Sequence, residues 1–247
     1  MPNEYNSNNI NEKILNLWKE FSGEQQLPTK LFPLLYNKFK HNQLLFIGLN
    51  PSFKASVMKS LGIESGILTD EDDVEAIYRW NNKSIDQSKV EMIIKLDSYA
   101  VIHHDYYKVL HKIASKLKPQ LEMQAIDLFV IRQTKQKEVE EYIKISEDRI
   151  ISIHPFFKSQ IEITFELIQE LKPQIIVVVN AFASKIIQVL WQSLISDFSQ
   201  QTGYQLFKLS FEKRIPIFFS GMLSGQRALD LGSRERLVWH IQQSLNR

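Results

Sequence analysis

Ile175-Ile176-Val177-Val178-Val179 is the stretch of sequence that decides the fold. Five consecutive β-branched residues favour a strand. A strand that is apolar on both faces is typical of a parallel sheet covered on both sides. Residues 158–171 are amphipathic and predict a helix before this strand, and residues 181–193 predict a helix after it. This part of the chain therefore predicts a helix–strand–helix unit.

Apolar segments elsewhere predict more strands and helices around this unit. The further strands are predicted at residues 43–48, 125–131, 204–211 and 215–219. The further helices are predicted at residues 9–22, 106–117 (capped by Asp105) and 234–245 (capped by Ser233). Strands that alternate with helices predict an α/β fold with a parallel sheet.

Composition excludes several classes of protein. A chain of 247 residues predicts one domain over residues 1–247. It contains no cysteine, which excludes disulfides, zinc–thiolate sites and cysteine nucleophiles. Residues 1–12 lack the pattern of a signal peptide, and no apolar run approaches the roughly 20 residues of a membrane span. We therefore expect a cytoplasmic monomer that does not bind membranes. The net charge of +2 indicates little about partners.

Polar loops follow the predicted strands, and ligands of parallel sheets bind at this carboxyl edge. The first loop is Gly48-Leu49-Asn50-Pro51-Ser52. A glycine permits close approach of a ligand, and Pro51 restricts the conformation of Asn50. The Asn50 amide is therefore a candidate to hold a water or to read the edge of a base. The alternative is an ordinary turn at the end of a strand.

The last loop runs from Ser220 to Arg227 and holds two apolar residues among glycines and serines. Met222 and Leu223 are suited to act as a wedge in a base stack. The alternative interpretation is that they cover the edge of the sheet.

Two other strand-end segments carry polar groups. Residues 132–137 combine cations with amides, which suits contact with phosphates, although a solvated loop is the alternative. Asn180 follows the central strand and is either a ligand-binding residue or the cap of the next helix.

The histidines do not predict a metal site. His104 and His111 are seven residues apart, whereas helical metal ligands favour a spacing of four. His104 remains a candidate for lining a substrate. The phosphate-loop, dinucleotide-binding, nucleophile-elbow and zinc-protease motifs are absent from the sequence.

Taken together, these loops resemble the uracil-DNA glycosylase superfamily, nearest its mismatch-specific and single-strand-selective branches. The resemblance covers about residues 40–247 and depends on four segments in order. They are residues 45–52 (LFIGLNPS), 128–139 (LFVIRQTKQKEV), 174–183 (QIIVVVNAFA) and 218–227 (FFSGMLSGQR).

The resemblance implies a three-layer α/β/α sandwich with a four-stranded parallel sheet, and a base-flipping enzyme that uses DNA and no metal or cofactor. It assigns Asn50 to catalysis, by positioning the attacking water. It assigns to substrate binding Gly48, Leu49, Pro51, Ser52, Phe53 (stacking on the flipped base), His104, Asp127, Asn180 and Gly221. It assigns to DNA binding Arg132, Lys135, Met222, Leu223, Ser224, Gln226 and Arg227.

The sequence also departs from the family pattern. Asn50 stands where many members have Asp, so a strong general base is missing. Gly221 replaces the His or Asn of the second motif, which removes a polar partner of the leaving base. Residues 53–100 are long and predict a helical insertion. Three functions remain open: a DNA glycosylase, a degenerate member that binds a nucleic acid or nucleotide without cleavage, and an unrelated α/β hydrolase or transferase that acts on a small phosphorylated substrate.

Overall fold

A computed structural model describes most of the chain. The described residues are 4–24, 27–41, 43–82, 85–133, 135–146, 149–225 and 228–246. The strands are β1 (Glu4–Asn6), β2 (Lys38–Lys40), β3 (Leu44–Gly48), β4 (Met123–Asp127), β5 (Ile143–Ile145), β6 (Ile150–Ile153), β7 (Ile175–Val178), β8 (Gln205–Lys208) and β9 (Arg214–Phe219). The helices are α1 (Asn8–Phe21), α2 (Ala55–Glu64), α3 (Val74–Tyr78), α4 (Gln87–His103), α5 (Asp105–Ser115), α6 (Gln136–Glu140), α7 (Pro155–Leu171), α8 (Ala181–Leu190) and α9 (Leu231–Leu245), with a short 3₁₀ turn at Gln192–Leu194.

The central sheet is mixed and has five strands in the order β4-β3-β7-β9-β8. The pairs β3–β4, β3–β7 and β7–β9 are parallel, while β8 pairs with β9 in the antiparallel sense. The expected sheet of four parallel strands is therefore corrected to a mixed sheet of five. The physical reason is a tight turn between β8 and β9, in which the N–H of Leu209 donates to the carbonyl of Lys213 at 2.9 Å. A short turn can join only antiparallel neighbours.

Both faces of the central strands β3 and β7 are buried, as their continuous apolar sequences predict. Leu45 and Ile47 of β3 belong to one cluster of buried residues, and the alternate residues Leu44 and Phe46 belong to a second. Each of these four side chains is at most 1 % exposed. The alternation of side chains along a strand accounts for this division.

Most predicted elements are confirmed, with shifted ends. The strand predicted at 125–131 is β4, but it ends at Asp127. Beyond it the chain stays buried and follows the first loop, since Leu128 donates to the Gly48 carbonyl at 3.0 Å and Phe129 to the Leu49 carbonyl at 2.9 Å. His104, not Asp105, caps α5, and Asp230, not Ser233, caps α9.

The segment at 53–100 contains α2, α3 and α4, and α2 and α4 pack against each other. The antiparallel pairs β1–β2 and β5–β6 were not predicted, because strands of three or four residues show too little periodicity. No helix in the described part of the chain is long and apolar enough to cross a membrane.

Candidate functional site at the carboxyl edge of the sheet

Gly48 and Asp127 are direct partners in the parallel register of β3 and β4. The Asp127 carboxyl lies across the Cα of Gly48, where an added Cβ would come within 2.1 Å of Oδ1. Gly48 does not have the positive φ found at Gly66, Gly203 and Gly225. The glycine is therefore required for space, because any side chain would displace the carboxyl group.

Asp127 is partly buried and has a strongly raised pKa. Desolvation raises its pKa from 3.8 to about 7, and the nearby Arg132 guanidinium opposes this rise. Asp127 in turn contributes to the raised pKa of three neighbouring tyrosines, Tyr36, Tyr106 and Tyr107, whose largest cause is also burial. A carboxyl group with a pKa near neutrality can accept and return a proton at physiological pH.

Tyr36 reaches this region from the segment before β2, and its backbone is fixed by α1. Its N–H donates to Asn11 Oδ1 at 2.9 Å, and its carbonyl accepts from Asn11 Nδ2 at 2.7 Å and from Ser7 Oγ at 2.8 Å. Burial raises the pKa of the Tyr36 hydroxyl, the charge of Asp127 adds to this rise, and a hydrogen bond with the Asp127 backbone opposes it. The backbone of Tyr36 is thus fixed by α1, while its buried hydroxyl lies close to Asp127.

Asn50 links the two loops that leave β3 and β4. Its Nδ2 donates to the carbonyl of Gln133 at 2.6 Å and makes a longer contact of 3.4 Å with the carbonyl of Pro51. The N–H of Gln133 donates back to the Pro51 carbonyl at 3.1 Å. These bonds occupy the amide nitrogen, which leaves Oδ1 as the atom of Asn50 best suited to a water or substrate.

Arg132 is buried and paired inside the protein, which argues against its predicted contact with phosphate. It is 7 % exposed, and its Nη2 forms an ion pair of 2.5 Å with Asp97 of α4. Its Nε donates to the Phe32 carbonyl at 2.9 Å, and the guanidinium lies 4.6 Å from the centre of the Tyr78 ring. A guanidinium with these partners is not available at the surface.

The last loop is also corrected in part. Leu223 is 1 % exposed and packs in the second buried cluster, so it covers the sheet and is not a free wedge. Met222, Gly221 and Ser224 are partly buried. Gln226 and Arg227 lie outside the described residues. The hydroxyl of Ser220 is buried at this edge without a hydrogen-bond partner in the described part of the chain.

Asn180 is the cap of α8, which confirms that interpretation. Its Oδ1 accepts from the N–H groups of Phe182 at 2.8 Å and Ala183 at 3.0 Å, and its Nδ2 contacts Gln136 Oε1 at 3.3 Å. Lys135 is exposed and near Glu138, at 3.9 Å. Lys135 and Lys137 are therefore the cations of residues 132–137 that remain exposed to solvent.

The remaining predicted residues lie around this edge in different roles. Leu49 and Pro51 are buried, whereas Ser52 is exposed. Phe53 packs against Tyr78, with ring centres 4.8 Å apart. His104 Nδ1 accepts from the N–H of Tyr106 at 3.2 Å, which leaves Nε2 for other contacts.

Sequence reasoning missed Tyr36 and the proton chemistry of Asp127. Tyr36 lies in a segment without periodicity, 91 positions from Asp127 in the chain. Only the three-dimensional packing brings the two residues together. Asp97 was missed because a single acid inside a helix gives no sign of a buried partner.

Comparison of the chain with protein-family models, with curated proteins and with solved structures found no significant match. The chemistry of the site is therefore inferred from its own residues. They supply a carboxyl group with a pKa near 7, held against Gly48, and an amide oxygen on the adjacent loop.

Proposed function

We propose that this chain hydrolyses the N-glycosidic bond of uracil or another base in DNA, with the α/β/α architecture of the uracil-DNA glycosylase superfamily. The observation that carries the proposal is the Asp127 carboxyl, held over Gly48 with a pKa of about 7. The sequence lacks an acid at position 50, and Asp127 on the adjacent strand supplies a general base instead.

In this mechanism Asp127 and Asn50 act on one water. Asn50 Oδ1 orients the water, and the ionised Asp127 removes a proton as the water oxygen attacks the sugar carbon. The electron pair of the N-glycosidic bond leaves with the base, which departs as an anion and is then protonated. A positioned general base contributes about 10²–10⁴-fold to such a step.

The part of the site expected to contact DNA is smaller than the sequence predicts. Arg132 and Leu223 are engaged inside the protein, so Met222, Ser224 and Lys135 remain as described candidates. A single apolar side chain is a weaker wedge than two. A base that is already unstacked costs less to flip, so we expect single-stranded substrates to be preferred.

A second candidate function is binding without cleavage. It is favoured by Gly221, which supplies no side chain to the leaving base. Losing one such donor can cost roughly 10²–10³-fold in rate.

Single-turnover cleavage of labelled oligonucleotides tests the proposal. Uracil is placed in a single strand, opposite guanine and opposite adenine, with enzyme in excess. We expect abasic product from the native chain, at least about a hundredfold less from Asp127→Asn, and no loss from Asp105→Asn, whose carboxylate is exposed on α5. If Asp127→Asn cleaved at the native rate, or if the native chain formed no abasic product while still binding DNA, cleavage of uracil through Asp127 would be refuted.

A further inference from the structure

A separate open cleft lies beside the first loop. Its volume is about 540 Å³, and it is lined by Lys30, Leu31, Phe53, Ala55, Glu75, Arg79 and Trp80. Neither Asn50 nor Asp127 lines it. Phe53 follows Asn50 by three residues, a span of at most about 11 Å in extended chain. The cleft is therefore within the reach of a neighbouring nucleotide.

Two aromatic side chains of the cleft, those of Phe53 and Trp80, pack against other aromatic rings of the protein. The Phe53 ring packs on Tyr78 at 4.8 Å, and the Trp80 ring meets Phe32 edge-on at 4.9 Å. The N–H of Trp80 donates to the Lys30 carbonyl at 2.9 Å. These contacts fix the rings, and a fixed aromatic ring loses little entropy when a base stacks on it.

The polar groups of the cleft suit a nucleotide as well. Lys30 and Arg79 are exposed cations at its wall, and cations beside aromatic rings are typical of sites that bind single-stranded nucleic acid. Glu75 can accept a hydrogen bond from the amino group of a base. The indole N–H of Trp80 is buried without an acceptor among the described residues.

We propose that this cleft binds the nucleotide next to the one whose base enters the Asn50–Asp127 site, in a single strand of DNA. The base stacks on Phe53 and Trp80, and the phosphate contacts Lys30 and Arg79. Phe53 thereby serves the neighbouring base and not the flipped base. The placement next to the flipped nucleotide rests on the proposed function, whereas binding of a single strand in the cleft does not.

Fluorescence anisotropy with a labelled octathymidylate tests the cleft without any cleavage. We expect Lys30→Glu and Arg79→Glu each to raise the Kd at least about fivefold and to lower the slope of log K against log salt by about one. Lys112→Glu, at an exposed position of α5 that does not line the cleft, is the matched control and leaves the Kd within twofold. A second measurement follows the quenching of the protein's tryptophan fluorescence by the oligonucleotide. Trp80→Phe keeps an aromatic ring in the cleft and is expected to remove most of this quenching.

The outcomes distinguish a failure of the cleft proposal from a failure of the proposed uracil cleavage. Binding that depends on Lys30 and Arg79 supports the cleft even if uracil is never cleaved. If both charge reversals matched Lys112→Glu, the cleft proposal would be overturned, even with full uracil cleavage. Quenching that survives Trp80→Phe would also contradict it, because the oligonucleotide would then lie against another tryptophan.

Discussion

Asp127 and Gly48 occupy opposed positions on β4 and β3, and the carboxyl group of one fills the space that a side chain would need on the other. The glycine at the end of β3 is thus explained by its neighbour across the sheet. Its backbone has no unusual conformation that would require glycine. The contact between them places Asp127, the candidate general base, beside the start of the first loop.

Gly48→Ala is expected to destabilise the protein by about 1–3 kcal/mol, since a methyl group at this position overlaps the Asp127 carboxyl. Urea unfolding measures the loss. The same variant displaces Asp127 and therefore shifts the midpoint of the pH–rate profile. Gly23→Ala is the control, because an added Cβ there meets nothing within 4 Å. Equal stability of the two variants would contradict the overlap.

Stability is expected to depend on pH through Asp127. Its pKa is about 7 in the folded chain against an ordinary 3.8, so the folded state binds the extra proton between these values. The contribution of Asp127 to stability is therefore fully present below about pH 4 and is lost as the pH rises through about 7, by on the order of 4 kcal/mol for the full shift.

Asp127→Asn removes this dependence and is expected to be more stable than the native chain at pH 8 but not at pH 4. Urea unfolding at the two pH values measures the difference. The native cleavage rate should rise with pH about a midpoint near 7, as expected when the base must be ionised. A native unfolding free energy that is flat between pH 4 and pH 7 would argue against the raised pKa.

The buried ion pair of Arg132 and Asp97 is expected to behave as one unit. Arg132→Met or Asp97→Leu alone leaves an unpaired buried charge and should cost about 3–5 kcal/mol. The double variant should be more stable than either single variant. Lys135→Ala, at an exposed cation of the same loop, should change stability by less than about 0.5 kcal/mol. If the Arg132→Met variant folded normally and only bound DNA more weakly, the interpretation of Arg132 as a phosphate contact would be restored.

Substitutions at Leu223 and Met222 are expected to have different effects, the first mainly on stability and the second mainly on contact with DNA. Leu223→Ala should cost about 2–5 kcal/mol, because the side chain is fully buried in the core. Met222→Ala should cost less and should reduce cleavage of duplex DNA more than cleavage of single strands. Thermal unfolding and paired cleavage assays give the two measurements. Equal losses on both substrates would rule out Met222 as a wedge.

The sequence was informative wherever one segment determines its own structure. The β-branched run at Ile175–Val178 became β7, and the loop at Gly48 and Asn50 lies at the carboxyl edge, as the apolar pattern predicts. It was uninformative where distant segments meet. The exposed role predicted for Arg132 depended on its loop position, whereas Asp97 and the carbonyl of Phe32 determine where the guanidinium lies. The raised pKa of Asp127 likewise depends on burial by distant parts of the chain.

The ion pair also ties the segment at 53–100 to the central sheet. Asp97 belongs to α4 of that segment, while Arg132 belongs to the loop after β4. Removal of α4 would take away the carboxylate that pairs with the Arg132 guanidinium. A shortened design of this chain therefore has to replace Arg132 together with these helices, or give the guanidinium a new acidic partner or access to water.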